Sequence, residues 1–210
     1  NRYETAVAVS QELSADVGGT FSCNFTIASG EDFPDGLTSS IFGAFGQPIL
    51  LTQANTIPAA TQAEIDRLIG TSALPGDCSN GVAGAGFAPD LNTTVVGGPS
   101  VISSAQKEVL DTYGTSTRVA GANRYATAIA VATGIEAFGG DVSEVLLATG
   151  ANFPDALAGG VLAQSDYAPI LLNDGDTVRA DVAAYLLAEN IQKVTILGGT
   201  SAVPASVEAE

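Results

Sequence analysis

The sequence predicts an α/β protein made of tandem small parallel-sheet layer units, each with helices on both faces of its sheet. Two observations support this prediction. Short runs of aliphatic residues alternate with helical patterns, and the two halves of the 210-residue chain repeat the same motifs in the same order. Strands that are apolar throughout indicate a parallel sheet, because both faces of such a sheet are covered by helices.

The elements are clearest in the second half of the chain. The predicted order is helix, strand, helix, strand, helix, strand and helix, read from "RYATAIAVATGIEAF", "VSEVLLATG", "FPDALAGGVLAQS", "APILLN", "DTVRADVAAYLLAENI", "KVTILGG" and "VPASVEAE". Pro154 suits the first turn of its helix, where a missing N–H does no harm. Asp155 beside it suits the positive end of the helix dipole. A short "TRVAG" (117–121) predicts one further strand.

The repeat consists of four motif pairs. "NRYETAVAVS" (1–10) matches "NRYATAIAVA" (123–132) at seven of ten positions. The other pairs are "ASGEDFPDGLTSS" (28–40) with "ATGANFPDALAGG" (148–160), "QPILLT" (47–52) with "APILLN" (168–173), and "VVGGPSVIS" (95–103) with "ILGGTSAVP" (196–204). The pattern predicts two tandem copies of one structural unit.

The first repeat contains an insertion. Residues 74–92 are rich in Gly, Pro, Asp and Asn, which predicts a surface loop. Cys78 lies in this loop, and Cys23 stands at the start of the first predicted strand. A cysteine pair confined to one repeat predicts a disulfide between Cys23 and Cys78 that anchors the loop. The alternative is two separate buried thiols.

Charge and composition exclude several classes of function. The formal net charge is −16, and such a field repels nucleic acid and anionic membranes. No apolar run is long enough to enter a membrane as a helix. Histidine is absent, which removes the usual general base, and two cysteines are too few for a cysteine-ligated zinc site. We therefore expect no enzymatic activity, no resident cofactor, no nucleic-acid partner and no membrane insertion.

The ordered motifs resemble the cell wall-binding repeat 2 (CWB2) family of surface proteins from Gram-positive bacteria and some archaea. The resemblance depends on "RVAGANRY" (118–125), "ATGANFPDAL" (148–157), "PILL" (169–172) and "ILGG" (196–199), in the family's order. Because the family's unit begins at R-[VI]-A-G, the resemblance implies a first repeat over 1–117 and a second over 118–210. It also implies that each unit has a Toprim-like or Rossmann-like fold. It also implies a secreted, non-catalytic module that attaches a surface protein to a cell-wall polymer, either an anionic glycopolymer or one associated with peptidoglycan.

The same resemblance leaves a second role open. Members of the family commonly carry three repeats around a pseudo-threefold axis, and the first repeat here lacks the family's opening "RVAG". The resemblance therefore also implies a third repeat or a homo-oligomer partner. The alternative function is a structural module that assembles a surface layer by packing against that partner.

Eleven residues are candidates for polymer contact. They comprise three motif arginines, two motif aspartates and six aliphatic residues that the resemblance links to polymer binding: Arg2, Arg118 and Arg124; Asp35 and Asp155; Ile49, Leu50, Leu51, Ile170, Leu171 and Leu172. An arginine fork suits phosphate or carboxylate groups, and open α/β sheets bind ligands at the carboxyl ends of their strands.

Each group of candidates also has a purely structural interpretation. The arginines can pair with nearby aspartates, the aspartates can favour helix N-termini, and the aliphatic residues can form the core. The negative net charge adds a constraint on polymer binding. An anionic polymer requires local arginine clusters or bridging divalent cations, and otherwise the polymer must carry little negative charge.

Overall fold

The computed structural model describes residues 1–16, 24–68, 91–136 and 142–209. Within these ranges the α-helices are α1 (Arg2–Asp16), α2 (Pro34–Thr38), α3 (Ala59–Leu68), α4 (Ser104–Asp111), α5 (Arg124–Glu136), α6 (Pro154–Asp166), α7 (Ala180–Ala188) and α8 (Ala205–Glu208). The strands are β1 (Asn24–Ser29), β2 (Ile49–Thr52), β3 (Leu91–Val96), β4 (Gly114–Val119), β5 (Glu144–Thr149), β6 (Ile170–Asn173) and β7 (Lys193–Ile196). A 3₁₀ helix follows α2 at Ser39–Phe45.

The first compact unit comprises Asn1–Asp32 and Phe45–Arg118 and contains a four-stranded sheet in the order β2-β1-β3-β4. Strand β1 pairs in parallel with β2 on one side and with β3 on the other, so that Thr26 faces both Ile49 and Thr94. Helix α1 packs on β2 and on α3. The predicted parallel sheet flanked by helices is confirmed for this unit.

The core of the first unit consists of apolar side chains from the faces of the sheet and of the helices that pack against each other. Its buried members are Phe25, Ile27, Leu50, Ile65, Leu68, Val95, Ile102 and Leu110. Residues from β1, β2 and β3 contribute to this one cluster, because Ile27 is paired with both Leu50 and Val95 and side chains paired across neighbouring strands lie on the same face of the sheet. Burial of these side chains from water is the main favourable contribution to folding of the unit.

One buried carboxylate joins two helices of the first unit. The Glu64 side chain on α3 is fully buried and accepts a hydrogen bond from Ser10 Oγ on α1 at 2.6 Å. Arg67 donates from Nε and Nη2 to its two oxygens at 2.8 and 2.7 Å, and Gln11 donates at 3.1 Å. Burial by itself would raise the pKa of Glu64, but these hydrogen bonds hold that pKa below its ordinary value.

The second compact unit comprises Phe33–Ala44 and Val119–Glu210 and contains a three-stranded sheet in the order β6-β5-β7. Strand β5 pairs in parallel with β6 and with β7, so that Leu146 faces both Ile170 and Thr195. The register is the same as in the first unit, because Leu146, Ile170 and Thr195 are the residues that correspond to Thr26, Ile49 and Thr94 in the sequence repeat. The predicted α/β fold class is therefore confirmed in both units.

Helix α2 belongs to the second unit although its sequence lies in the first repeat. Leu37 packs in a buried cluster with Ala128, Ala148 and Ala156, and α2 contacts α5, α6 and β6. The chain thus leaves the first unit after β1 and returns to it at Phe45. The predicted boundary between the two sequence repeats, at residues 117 and 118, stays a prediction. The compact units divide the chain in a different way and therefore do not test it.

Several sequence predictions fall outside the described residues. Cys23 and Cys78 both lie there, as does most of the predicted insertion at 74–92. The disulfide between these cysteines therefore stays a prediction. In the described part of the chain, no helix combines the length and the apolar character that crossing a membrane requires.

Candidate functional site

Both units place a tyrosine ring directly on the glycine that follows the central strand. Gly30 follows β1, and a Cβ atom added to it would lie 2.5 Å from Cε1 of Tyr3. Gly150 follows β5, and a Cβ atom there would lie 2.4 Å from Cε1 of Tyr125. Any other residue would displace the ring, which explains why a glycine ends this strand in both copies.

The "NRY" motif of α5 connects the helix start to the end of β5. Asn123 Oδ1 accepts hydrogen bonds from the backbone N–H groups of Tyr125 and Ala126 at 3.0 Å each. Arg124 Nη1 donates to the carbonyl oxygen of Gly150 at 2.8 Å. Asparagine therefore caps the helix, arginine binds the strand end, and tyrosine covers the glycine.

The first copy of the motif makes the same contacts in the first unit. Asn1 Oδ1 accepts from the backbone N–H groups of Tyr3 and Glu4 at 3.1 and 3.2 Å. Arg2 Nη1 donates to the carbonyl oxygen of Gly30. Each residue of the motif has the same structural role in both copies, and this role accounts for its recurrence.

Arg118 also binds backbone carbonyl groups, in this case at the end of β3. Its Nη1 donates to Gly97 O at 2.5 Å, and its Nη2 donates to Ile102 O at 2.9 Å and to Ser103 O at 3.4 Å. Burial lowers the pKa of Arg118 from its ordinary value. The side chain thereby holds β4 to the turn that follows β3.

The guanidinium groups of the three predicted arginines thus bind acceptors that the sequence did not predict. Arg2, Arg118 and Arg124 each bind a glycine carbonyl oxygen at the carboxyl end of a strand. Both sequence interpretations, polymer contact and pairing with a motif aspartate, overlooked backbone acceptors. A role for these arginines in polymer contact stays a prediction.

The "FPD" motifs start helices as expected, with Pro34 and Pro154 in the first turn. The two aspartates are in different surroundings, because Asp35 is buried and Asp155 is partly exposed. Asp155 lies against the turn after β7, where a Cβ atom on Gly198 would be 2.5 Å from its Oδ2. The structure therefore brings the "FPD" and "ILGG" motifs together in the second unit.

The aliphatic candidates of the "PILL" motifs are mainly core residues. In the second unit Ile170, Leu171 and Leu172 are all buried, and in the first unit Leu50 is buried. Ile49 and Leu51 are partly exposed. Side chains buried in this way support the sheet, and direct polymer contact by them stays a prediction.

A charged cluster that the sequence analysis missed lies beside the end of β6. Arg179 donates from Nε and Nη2 to the two oxygens of Asp181 at 3.0 Å each, and from Nη1 to Asp174 at 3.0 Å. Its guanidinium also stacks 4.0 Å from the ring centroid of Tyr125. The first repeat has Pro58 where the second has Arg179, so repetition could not reveal the cluster.

The positive charge of Arg179 is paired with two carboxylates in this cluster. Hydrogen bonds from Arg179 lower the pKa of Asp174 and of Asp181, and these same hydrogen bonds raise the pKa of Arg179. Burial raises the pKa of Tyr125, and its hydrogen bond to Asp174 raises it further. The guanidinium of Arg179 therefore forms ion pairs with two carboxylates and packs on the tyrosine ring that covers the end of β5.

An aromatic pair stands at the starts of the two "FPD" helices. The rings of Phe33 and Phe153 have centroids 5.6 Å apart and are tilted by 55°. The Arg124 guanidinium carbon lies 5.4 Å from the Phe33 ring centroid. Phe153 is 49% exposed, and its ring packs against the Phe33 ring that the Arg124 guanidinium approaches. Neither Phe33 nor Phe153 is among the residues that the sequence predicts for polymer contact.

The carboxyl edge of the second sheet therefore combines an exposed phenylalanine, two arginines and several carboxylates. Within the described ranges, no group of three or more His, Cys, Asp or Glu residues is placed to hold a metal ion. The arginines are bound to carbonyl or carboxylate oxygens. Such an edge suits the binding of a ligand that presents both apolar and hydrogen-bonding faces.

Comparison with known proteins gives relatives over nearly the whole chain. The chain is 26% identical over 207 residues to the N-acetylmuramoyl-L-alanine amidase LytC of Bacillus subtilis, covering 99% of this chain and 36% of that protein. It is 28% identical over 209 residues to the Amidase enhancer of the same organism, covering 99% of this chain and 24% of that protein. The chain thus spans between a quarter and about a third of these relatives.

Two solved structures from Clostridium difficile resemble the fold. Cwp6 superposes with a TM-score of 0.79 at 25% identity, over 99% of this chain and 29% of that one. Cwp8 superposes with a TM-score of 0.77 at 26% identity, over 99% of this chain and 31% of that one. The family model described as "Cell wall binding domain 2 (CWB2)" matches residues 1–107 and 118–208. The two matched segments span most of the chain, and the chain therefore belongs to the CWB2 family of cell wall binding domains.

Proposed function

We propose that this chain attaches a secreted surface protein non-covalently to a cell-wall polymer. The observation that carries the proposal is that an amidase and an amidase enhancer both share nearly the whole of this chain within a minor part of their own length. An amidase and an amidase enhancer differ in activity, so a segment that both contain is better explained by a shared location than by a shared chemistry.

The geometry supports binding without catalysis. The "FPD" aspartates, the only acids at matched positions in the two repeat motifs, stand at helix starts, where they favour the helix dipole. The arginines at the strand ends hold backbone carbonyl oxygens, and Arg179 is held by two carboxylates. Side chains held by such hydrogen bonds can form a fixed binding surface. A general acid or base must instead exchange a proton with its ligand.

We place the polymer-binding surface at the strand-end edge of the second unit, centred on Phe153. The flat C–H face of a sugar ring can pack on this exposed ring, while hydroxyl groups reach Asp155 and Arg124 nearby. This mode of binding suits a chain of net charge −16, because it does not depend on attraction between whole charges. A bridging divalent cation is the alternative means of holding an anionic polymer.

Sedimentation with purified cell walls tests this proposal. The chain is mixed with walls of Bacillus subtilis or Clostridium difficile, in low and high salt and with or without a chelator, and the bound fraction is measured. We expect retention that survives both salt and chelator. Loss of retention with chelator alone would instead assign the contact to a bridging cation, and no retention on either wall would refute attachment.

A matched pair of variants tests the surface itself. Phe153→Ala removes the exposed ring, and Leu157→Ala removes an apolar side chain that is 60% exposed on the same helix. We expect Phe153→Ala to weaken wall binding about tenfold, which corresponds to about 1.4 kcal/mol for the loss of an aromatic contact residue, and Leu157→Ala to leave it unchanged. Equal effects of the two variants would argue against a specific contact at Phe153.

Assembly of a surface layer is the second candidate function. Helix α6 exposes Leu157 and Val161, which are 60% and 76% exposed and lie four residues apart on one helix face. Light scattering over a range of concentrations tests this alternative. A mass that rises with concentration, and that returns to the monomer value on Val161→Lys, would favour assembly.

A further inference from the structure

The basic side chains of this protein are few, and each of them already binds another group of the chain. There are seven of them, against 23 acidic residues, and all seven lie in the part of the chain that the structure describes. Arg2, Arg118 and Arg124 bind backbone carbonyl oxygens. The other four form ion pairs, namely Arg67 with Glu64, Lys107 with Asp111, Arg179 with Asp174 and Asp181, and Lys193 with Glu144. Whatever further contacts these groups make, 16 carboxylates have no basic side chain to balance them.

The excess of negative charge is present in both compact units. The first unit contains 11 acidic and four basic residues, for a net charge of −7, and the second contains 12 and three, for a net charge of −9. Exposed carboxylates lie at Glu12 and Glu108 in the first unit and at Asp176 and Glu208 in the second. Each unit therefore brings like charges together when it folds, and this repulsion opposes the compact state.

The spacing of the excess charges determines the ionic strength at which this repulsion matters. Dividing the 9967 Å² of accessible surface among the 16 excess charges gives about 620 Å² for each, which corresponds to a spacing of about 25 Å. The screening length is about 30 Å at 0.01 M salt, about 10 Å at 0.1 M and about 3 Å at 1 M. The charges therefore repel one another strongly at 0.01 M, and most of this repulsion is screened above about 0.1 M.

We propose that ionic strength controls the native state of this protein. Mobile cations balance the excess carboxylates of the folded units, and these units lose stability as the ionic strength falls below about 0.1 M. The unfolded chain carries the same charges farther apart, so low salt favours it. The cations form a diffuse atmosphere and occupy no fixed site. The inference is independent of wall attachment, because it concerns folding of the module whether or not a polymer is bound.

Urea denaturation at pH 7 in a series of sodium chloride concentrations tests this proposal. We expect the urea midpoint to rise by about 1 M or more between about 0.01 M and 0.3 M salt, and to change much less between 0.3 M and 1 M. Such a curve follows the screening length. A midpoint that is the same at 0.01 M and 0.3 M salt, or that rises as steeply above 0.3 M as below it, would overturn the proposal.

A matched pair of variants separates charge from other effects of salt. The first variant combines Glu12→Gln, Glu108→Gln, Asp176→Asn and Glu208→Gln, which are exposed positions outside the ion pairs named above. It removes four of the 16 excess charges, and the number of repelling pairs falls to about half. The second variant keeps every charge, with Glu12→Asp, Glu108→Asp, Asp176→Glu and Glu208→Asp.

The two variants should respond differently to salt. We expect the shift of the urea midpoint between 0.01 M and 0.3 M salt to fall to about half in the amide variant, and to equal that of the parent chain in the charge-preserving variant. A change in the midpoint that is common to all salt concentrations does not affect this comparison. Equal salt shifts in the two variants would overturn the proposal.

The nature of the cation distinguishes a diffuse atmosphere from a fixed binding site. Sodium chloride and tetramethylammonium chloride are compared at 0.1 M, where they have the same ionic strength but cations of very different size. A similar rise of the urea midpoint in both salts would support the proposal, because screening depends on ionic strength alone. A rise in sodium chloride with none in tetramethylammonium chloride would overturn it in favour of a cation site.

Discussion

Gly150→Ala is the sharpest test of the contact that both repeats share at the strand end. The added methyl group would lie 2.4 Å from Cε1 of Tyr125, about 1 Å short of the 3.4 Å at which ordinary contact begins. The ring cannot move away freely, because the Arg179 guanidinium stacks on it at 4.0 Å and its hydroxyl group is hydrogen-bonded to Asp174.

The expected cost follows from these contacts. Forcing a methyl group into a packed site costs about 1–3 kcal/mol. Displacing the tyrosine also weakens a cation–π contact of about 0.5–2 kcal/mol. We therefore expect Gly150→Ala to lower the free energy of unfolding by about 2–4 kcal/mol, as measured by urea denaturation followed by circular dichroism.

Two further glycines serve as controls for this substitution. Gly134 lies in α5, and a Cβ atom there would meet no atom within 4 Å, so Gly134→Ala should stabilise the helix by about 0.5–1 kcal/mol. Gly30→Ala should cost less than Gly150→Ala, because Pro58 takes the place of Arg179 in the first repeat. The reasoning is refuted if Gly150→Ala is as stable as the parent chain.

Three other predictions concern the buried carboxylate and the turn after β7. Glu64→Gln should lower the free energy of unfolding by about 1.5–3 kcal/mol, since it weakens charged hydrogen bonds to Arg67 and its neighbours, and thermal unfolding measures this. The folded-state pKa of Glu64 lies below its ordinary value of 4.5, so its contribution is present above that pH and is lost as the pH falls through the folded-state pKa. Unfolding measured from pH 6 to pH 3 should therefore show a steeper loss of stability for the parent chain than for Glu64→Gln, and parallel curves would contradict this pairing. Gly198→Ala should cost about 1–3 kcal/mol, because its φ of 104° is strained for alanine and its Cβ atom would meet Asp155, whereas Gly199→Ala, with no atom within 4 Å, should be nearly neutral.

Local chemistry predicted the elements well. Pro154 starts a helix, the aliphatic run at Ile170–Leu172 is a buried strand, and the strand before "FPD" ends at a glycine. The predicted strand at 117–121 is present but lies earlier, at Gly114–Val119. These features depend on backbone preferences and burial patterns over a few neighbouring residues, which a sequence displays directly.

The candidate site was less predictable, because its contacts join residues far apart in the chain. The motif arginines were identified as functional candidates, yet their partners are backbone carbonyl oxygens such as Gly30 O and Gly150 O, which have no sequence signature. Arg179 was missed because only one repeat contains it. Its role depends on Tyr125, which reaches it only through the fold.

The amino-acid sequence by itself determined the repeated α/β elements, the turn chemistry and the membership of a wall-binding family. Only the tertiary structure decided which elements complete which unit. Helix α2 joins the second unit because Leu37 finds its apolar partners there, and β4 extends the first sheet because Arg118 binds the turn after β3. Both choices depend on long-range burial and on backbone acceptors brought together in space, and neither is encoded in the local pattern of residues.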